Sequence, residues 1–250
     1  MSGHSKWSTI KRKKGKTDAA RGRMFTRLIK EITISARNGG GDTDINPRLR
    51  TAVQAAKAAN MPADNIKKAI QRGTGELPGV NYEEVQYEAY GPSGVAILIN
   101  SLTDNRNRTV AEIRHLLGRH GGNMGEAGCV NWMFTKQGVI EIESSAVAED
   151  HLFEIALEAG ASDMKSEGGA YAIITPAPDF ETVRAAVAEK GIPIADAELA
   201  MVPQSSVSLE GKDAEAMLRL MDALEEHEDV QNVYANFDID DALIEQFNAE

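Results

Sequence analysis

The spacing of apolar residues changes partway along the chain. From about residue 19, Phe25, Leu28, Ile29, Ile32 and Ala36 recur every three or four positions, which predicts one amphipathic helix. Asp18 stands where its side chain can cap the first turn, and Asn38-Gly39-Gly40-Gly41 supplies a left-handed stop. Asn46-Pro47 opens a second helix with Leu49, Val53 and Ala56 inward; proline sits in the first turn, where its missing N–H does no harm. A third, short helix begins near Pro62, turns Ile66 and Ile70 inward and stops at Gly73. Gly73-Thr74-Gly75-Glu76-Leu77-Pro78-Gly79 has the composition of a linker.

Beyond the linker the period shortens to two. Residues 82–90 alternate approximately, with Val85, Tyr87 and Ala89 on one face. Gly91-Pro92-Ser93-Gly94 turns the chain into a buried strand over 95–101. A helix is expected over 109–119, with Val110, Ile113 and Leu117 inward, and a strand over 129–134. From residue 139 the expected order is strand, helix (147–159), two strands around Glu167-Gly168-Gly169, helix (179–190) and strand (194–202). That is the split βαβ order of a ferredoxin-like domain. A short strand, a helix over 212–226 and a strand over 230–237 follow Pro203. The expected fold is α+β, with an N-terminal three-helix domain (1–78) followed by two α/β-type domains. One of these, ferredoxin-like and spanning 139–203, is inserted into the other, formed by 79–138 plus 204–250.

Charge sharpens this division. Residues 1–72 carry 17 Lys and Arg against 5 Asp and Glu, a net of +12, whereas residues 73–250 carry 10 against 33, a net of −23. A basic unit of this kind is suited to polyanions, and the acidic remainder repels them. The cations start in an N-terminal arm at Lys6, Lys11, Arg12, Lys13, Lys14 and Lys16. They continue at Arg21, Arg23, Arg27 and Lys30, largely off the apolar stripe of the first helix, and at Lys67, Lys68 and Arg72 on the third. Trp7 adds a flat ring, suited either to stacking on a base or to packing back on the bundle. The candidate nucleic-acid-binding residues are therefore Lys6, Trp7 and Lys11 to Lys14, with Lys16, Arg21, Arg23 and Arg27. Residues 139–202 carry 3 basic and 13 acidic groups, which points to a protein-facing or structural role there.

Other chemistry is not encoded in recognisable form. The sequence has neither the GxxxxGK[ST] of a phosphate loop nor a GxGxxG opening a helix. Its five histidines stand in no HExxH and beside no CxxC, so no metal or cofactor is expected. Cys129, the single cysteine, suits a reducing compartment and has no evident activating base. Glu225, Glu226, Glu228 and Asp229 read as a solvated helix face. Gly122, Gly125 and Gly128 read as a flexible loop, or else as one that touches RNA. No apolar run approaches the roughly 18 residues of a membrane span, and the basic start lacks both a secretory h-region and an amphipathic stripe.

Several segments together resemble the YebC family. They are Gly3-His4-Ser5-Lys6-Trp7, Asn60-Met61-Pro62, Tyr87-Glu88-Ala89-Tyr90-Gly91-Pro92, Thr103-Asp104-Asn105-Arg106-Asn107-Arg108, Gly121-Gly122-Asn123-Met124 and Val130-Asn131-Trp132-Met133-Phe134. The resemblance implies a helical domain and two α/β domains, a cytoplasmic location and no enzymatic activity. It also implies a transcriptional regulator that binds DNA. Mitochondrial relatives are translational activators of cytochrome oxidase, and members are linked to relieving ribosomes stalled at proline-rich stretches. Two ligands follow for the basic segment, DNA and ribosomal RNA. An RNA-processing enzyme and a protein scaffold remain as readings from other classes.

Overall fold

The structure, a computed structural model, describes Trp7 and residues 18–167 and 169–249. Helix α1 (Asp18–Gly39) packs against α2 (Pro47–Ala58) and α3 (Ala63–Gly73). Their shared core holds Ile32, Ala36, Leu49, Val53, Ala56, Met61 and Ile66. The local signals act as their chemistry dictates. The Asn46 side chain accepts the Leu49 N–H at 3.1 Å and caps α2. Gly40, at φ +85°, ends α1 by donating its N–H to the Ala36 carbonyl. At Gly73 the bundle is at its tightest, because a Cβ there would lie 2.4 Å from the Thr33 carbonyl oxygen.

The chain next builds an antiparallel sheet from β1 (Glu83–Tyr90), β2 (Ala96–Thr103), β3 (Asn123–Met124) and β9 (Val230–Ala235), ordered β3-β1-β2-β9. Between β2 and β3 runs α4 (Arg106–Arg119). Strand β2 is buried on both faces. Ile97 and Ile99 face the core formed with α4 and α7 (Gly211–Glu226), while Ala96 and Leu98 face a second core with Val130, Phe134 and Tyr234.

A second sheet uses β4 (Phe134–Glu143), β5 (Asp163–Glu167), β6 (Ala170–Pro176) and β7 (Asp196–Pro203), with α5 (Glu149–Glu158) and α6 (Phe180–Glu189) on one face. Its order, β5-β6-β4-β7, is antiparallel throughout and is that of a ferredoxin-like unit. The molecule is thus α+β, as expected. In sequence these four strands lie between β3 and β9 of the first sheet. A two-residue parallel ladder joins β8 (Val207–Ser208) to β10 (Phe237–Asp238), and α8 (Asp241–Ala249) follows.

Two features depart from the sequence reading. The strand expected over 129–134 is a turn, with a 3-10 segment at Asn131–Met133, and β4 begins only at Phe134. The cause is Glu88, whose carboxylate takes N–H groups in this stretch that a ladder would need. Helix α8, which the expected elements did not include, carries Phe247 to the core of the first sheet.

Candidate nucleic-acid interface

Lys6, Lys11, Arg12, Lys13, Lys14 and Lys16 lie outside the described residues. Trp7 is described, and it is neither stacked on the bundle nor open to a base. It is fully buried in the core of the first sheet, with Nε1 donating to Glu225 Oε1 at 3.0 Å and its ring centroid 5.8 Å from that of Phe247. Stacking on a nucleobase needs an open ring face, so the sequence reading of Trp7 as a nucleic-acid contact is corrected.

The cations of α1 are also placed differently from expectation. Arg23 Nη2 pairs with Glu226 at 2.9 Å, Arg27 Nη2 donates to the Glu225 carbonyl, and Lys30 Nζ donates to the Glu228 carbonyl at 3.0 Å. Burial lowers the Arg27 pKa, with Glu225 opposing the shift. The 225–229 segment is thus the counter-surface for α1, through the Glu226 and Asp229 carboxylates and the Glu225 and Glu228 carbonyls, although the Glu226 and Glu228 side chains remain exposed. Arg21 is exposed. Lys57 on α2 and Lys67, Lys68 and Arg72 on α3 are exposed and make no ion pair among the described residues. Arg48 is exposed too, but it bridges Glu31 and Glu84, and its hydrogen bond to Glu31 is the main reason its pKa is raised. The cations of the bundle therefore divide: Arg23, Arg27 and Lys30 turn to the chain's own acids and carbonyls, while Lys57, Lys67, Lys68 and Arg72 are exposed.

Asp229 is the centre of the inner face. Its side chain is 1% exposed and accepts from Lys30 Nζ at 2.6 Å, Arg108 Nη2 at 2.8 Å and Thr109 Oγ1 at 2.7 Å. Burial pushes its carboxyl pKa up, but the donors outweigh burial and hold it at about 2. The Thr103 to Arg108 motif builds this nest. Thr103 Oγ1 accepts the Asn105 N–H, Asn105 Oδ1 caps α4 at Arg108, and Arg108 also pairs with Asp104. Ligand atoms of Glu112, His227 and Asp229 lie within 4.8 Å of one another. They fit a hydrogen-bonded chain better than a cation. His227 Nδ1 accepts the Asp229 N–H at 3.1 Å, its Nε2 lies 2.9 Å from Glu112, and the Asp229 oxygens already face two positive groups.

A second convergence forms around Glu88, which is 8% exposed. Its carboxylate accepts the N–H of Gly128 at 2.6 Å, Val130 at 2.7 Å and Asn131 at 2.9 Å. Burial raises the Glu88 pKa, and these donors lower it further than burial raises it. The glycine-rich loop is therefore pinned rather than flexible. Sequence reasoning passed over Lys30, Glu88, Arg108 and Asp229 as site residues. The density of Thr, Asn and Arg in residues 103–109 is a local signal for the Asp229 nest, whereas Glu88 leaves none, since its partners lie about 40 positions away.

Fold and surface define an α+β protein with two antiparallel sheets and a cation-bearing helical head clamped onto the domain of the first. No helix among the described residues is long and apolar enough to cross a membrane. Residues 5–76 match the TACO1/YebC protein N-terminal domain, and residues 82–237 match the TACO1/YebC second and third domain. The chain belongs to the TACO1/YebC family. It is 58% identical over 243 residues to a "Probable transcriptional regulatory protein" of Desulfosudis oleivorans, covering 97% of this chain and 99% of that one. A protein of the same designation from Geobacter sulfurreducens is 59% identical, covering 96% of each chain. Among solved structures, a conserved hypothetical protein of Aquifex aeolicus superposes with a TM-score of 0.82 at 44% identity, covering 90% of this chain and 93% of its own. The Desulfosudis and Geobacter relatives carry the names of probable transcriptional regulators.

Proposed function

We propose that this chain is a non-enzymatic, cytoplasmic regulator of gene expression that binds DNA through its basic N-terminal region. The supporting observation is a set of exposed cations on α2 and α3: Lys57, Lys67, Lys68 and Arg72 have no ion-pair partner among the described residues. Like charges held on one folded surface repel, and a phosphate polymer relieves that repulsion while releasing counterions. Lys6, Lys11, Arg12, Lys13, Lys14 and Lys16 extend the set in sequence. Of the first-helix candidates, Arg21 is exposed, whereas Arg23 and Arg27 serve the clamp. The acidic sheets are left to protein contacts.

Ribosomal RNA is the second ligand. It is favoured by the spread of the free cations over two helices, which suits an irregular phosphate surface better than a single groove.

Binding of the intact protein to duplex DNA and to ribosomes across a salt series tests the reading. Replacing Lys11, Arg12, Lys13 and Lys14 with alanine lowers the log–log salt slope by up to about 3–4 on a duplex. Replacing Lys67, Lys68 and Arg72 lowers it by up to about 3. Unchanged slopes in both variants would refute the reading, as would failure of the wild type to bind either polymer in dilute buffer.

A further inference from the structure

Helix α5 exposes both Phe153, at 44%, and Leu157, at 57%, and no other helix among the described residues exposes two large apolar side chains. A singly exposed apolar residue is ordinary, but these two stand four positions apart and form one continuous strip. The core does not need them. Leu152, Ile155 and Ala156 already seat α5 in the core of the second sheet, from another side of the helix.

The charge beside the strip lies on the same helix. Asp150 and Glu154 precede Phe153 and Leu157 by three positions, and Glu149 precedes Phe153 by four, spacings at which helical side chains are surface neighbours. Glu158 closes the helix. All four acids are exposed and make no ion pair among the described residues. Helix α5 itself contains no Lys or Arg. Of the three basic residues in 139–202, Lys165 lies on β5, Arg184 is held by Glu181 at 2.6 Å, and Lys190 follows α6. The arrangement works against the helix when nothing covers it. Asp150, Glu154 and Glu158 repel one another at successive i, i+4 spacings, and Glu158 stands at the C-terminal end, where the helix dipole disfavours an acid. A row of cations laid alongside relieves both costs.

We propose that the Phe153–Leu157 strip is a docking site for a cationic amphipathic helix of a partner protein, one that offers large apolar side chains at i, i+4 with Lys or Arg in the flanking row. A helix fits because its own i, i+4 ridge repeats at the pitch of the apolar and acidic rows on α5. The acids repel phosphate polymers and anionic lipid surfaces alike. A second copy of this chain docked through the same strip would set acid against acid, since a two-fold interface pairs each patch with itself. The proposal is independent of the nucleic-acid reading.

The test measures, by fluorescence anisotropy, the binding of two labelled peptides of about 18 residues to the full-length protein. Both consist of Leu, Lys and Ala; one sets Leu at i, i+4 beside a row of Lys, and the other has the same composition scrambled so that no apolar face forms. The wild type is expected to bind the patterned peptide at least about 10-fold more tightly than the scrambled one. F153Q/L157Q abolishes that preference. E154K/E158K weakens binding of the patterned peptide by a similar factor and flattens its salt dependence. Its second change suits the helix dipole, and both variants alter exposed positions, so circular dichroism melting serves as the control that the fold is unchanged. Equal binding of the two peptides by the wild type, binding of neither, or patterned-peptide binding by F153Q/L157Q at the wild-type level would overturn the site. Wild-type dimers in sedimentation that F153Q/L157Q abolishes would overturn it in favour of a second copy. Duplex DNA binding is expected to be the same in wild type and F153Q/L157Q; its loss in the variant would assign the strip to nucleic acid and overturn the proposal.

Discussion

Replacing Asp229 by asparagine tests the clamp between α1 and the rest of the protein. The wild-type carboxyl sits at about 2 against an ordinary value of 3.8. A depression of that size corresponds to roughly 2–3 kcal/mol of stability. The sign follows from the direction of the shift. The folded state prefers the ionised form, so the contribution is complete above about pH 4 and is lost as the pH falls through about 2. D229N removes the charge but not the volume. It leaves the Lys30 ammonium, 7% exposed, in a buried site without its counter-ion, which costs about 3–5 kcal/mol at pH 7. K30M alone costs less, because Arg108 still pairs with Asp229, and K30M/D229N recovers part of the single-variant loss. Urea unfolding in a W132F background, followed by the emission of buried Trp7, reports the opening of this core directly. Between pH 7 and pH 3 the wild type should lose stability more steeply than D229N. A D229N variant within about 0.5 kcal/mol of wild type at pH 7, or acid limbs that superimpose, would refute this account of the junction.

Two further outcomes follow from burial and close approach. Trp7→Ala empties a fully buried indole site and should destabilise by about 3–5 kcal/mol in urea unfolding followed by far-ultraviolet circular dichroism, whereas Trp7→Phe keeps ring packing on Phe247 and costs less; an Ala variant as stable as wild type would place Trp7 outside the core. Gly73→Ala puts a methyl 2.4 Å from the Thr33 carbonyl oxygen and 2.7 Å from Ala36 Cβ, so α1 and α3 must separate at a cost of about 1–3 kcal/mol by thermal melting, and a neutral result would contradict the packing.

What the sequence disclosed was local, and what it withheld was distant. Asn46-Pro47 announces α2 because cap and first turn are neighbours in the chain. The ferredoxin-like order follows from alternating apolar positions within one continuous stretch. Asp229 and Lys30 meet across 199 positions, and Trp7 meets Glu225 across 218, so no periodicity records either contact. The apolar spacing on α1 correctly gives Ile32 and Ala36 to the bundle. It does not disclose that the other side of the helix is also covered, because covered cations and solvated cations are written with the same letters. The 129–134 strand failed for a related reason. Val130, Trp132 and Phe134 alternate as a strand would, but one buried carboxylate from β1 claims the backbone donors.

The clamp also qualifies what the charge asymmetry means. Helix α7 ends in Glu225 and Glu226 with no basic residue in its last turn, an arrangement the helix dipole disfavours. Arg23, Arg27 and Lys30 supply the missing positive charge from α1, donating to Glu226, to the Glu225 carbonyl and to the Glu228 carbonyl. Part of the basic surplus before residue 73 is therefore matched inside the molecule, against part of the acidic surplus behind it. A phosphate polymer that engaged the inner face of α1 would have to displace carboxylates and carbonyls already in place and would draw Lys30 away from buried Asp229. Lys67, Lys68 and Arg72 are exposed and make no ion pair among the described residues, so phosphate binding there, as proposed, would face no such competition. Net charge alone would assign both groups of cations to the ligand. The geometry gives Arg23, Arg27 and Lys30 partners within the chain, so the proposed phosphate contacts fall to Lys67, Lys68 and Arg72, with Lys57, Arg21 and the cations earlier in the chain.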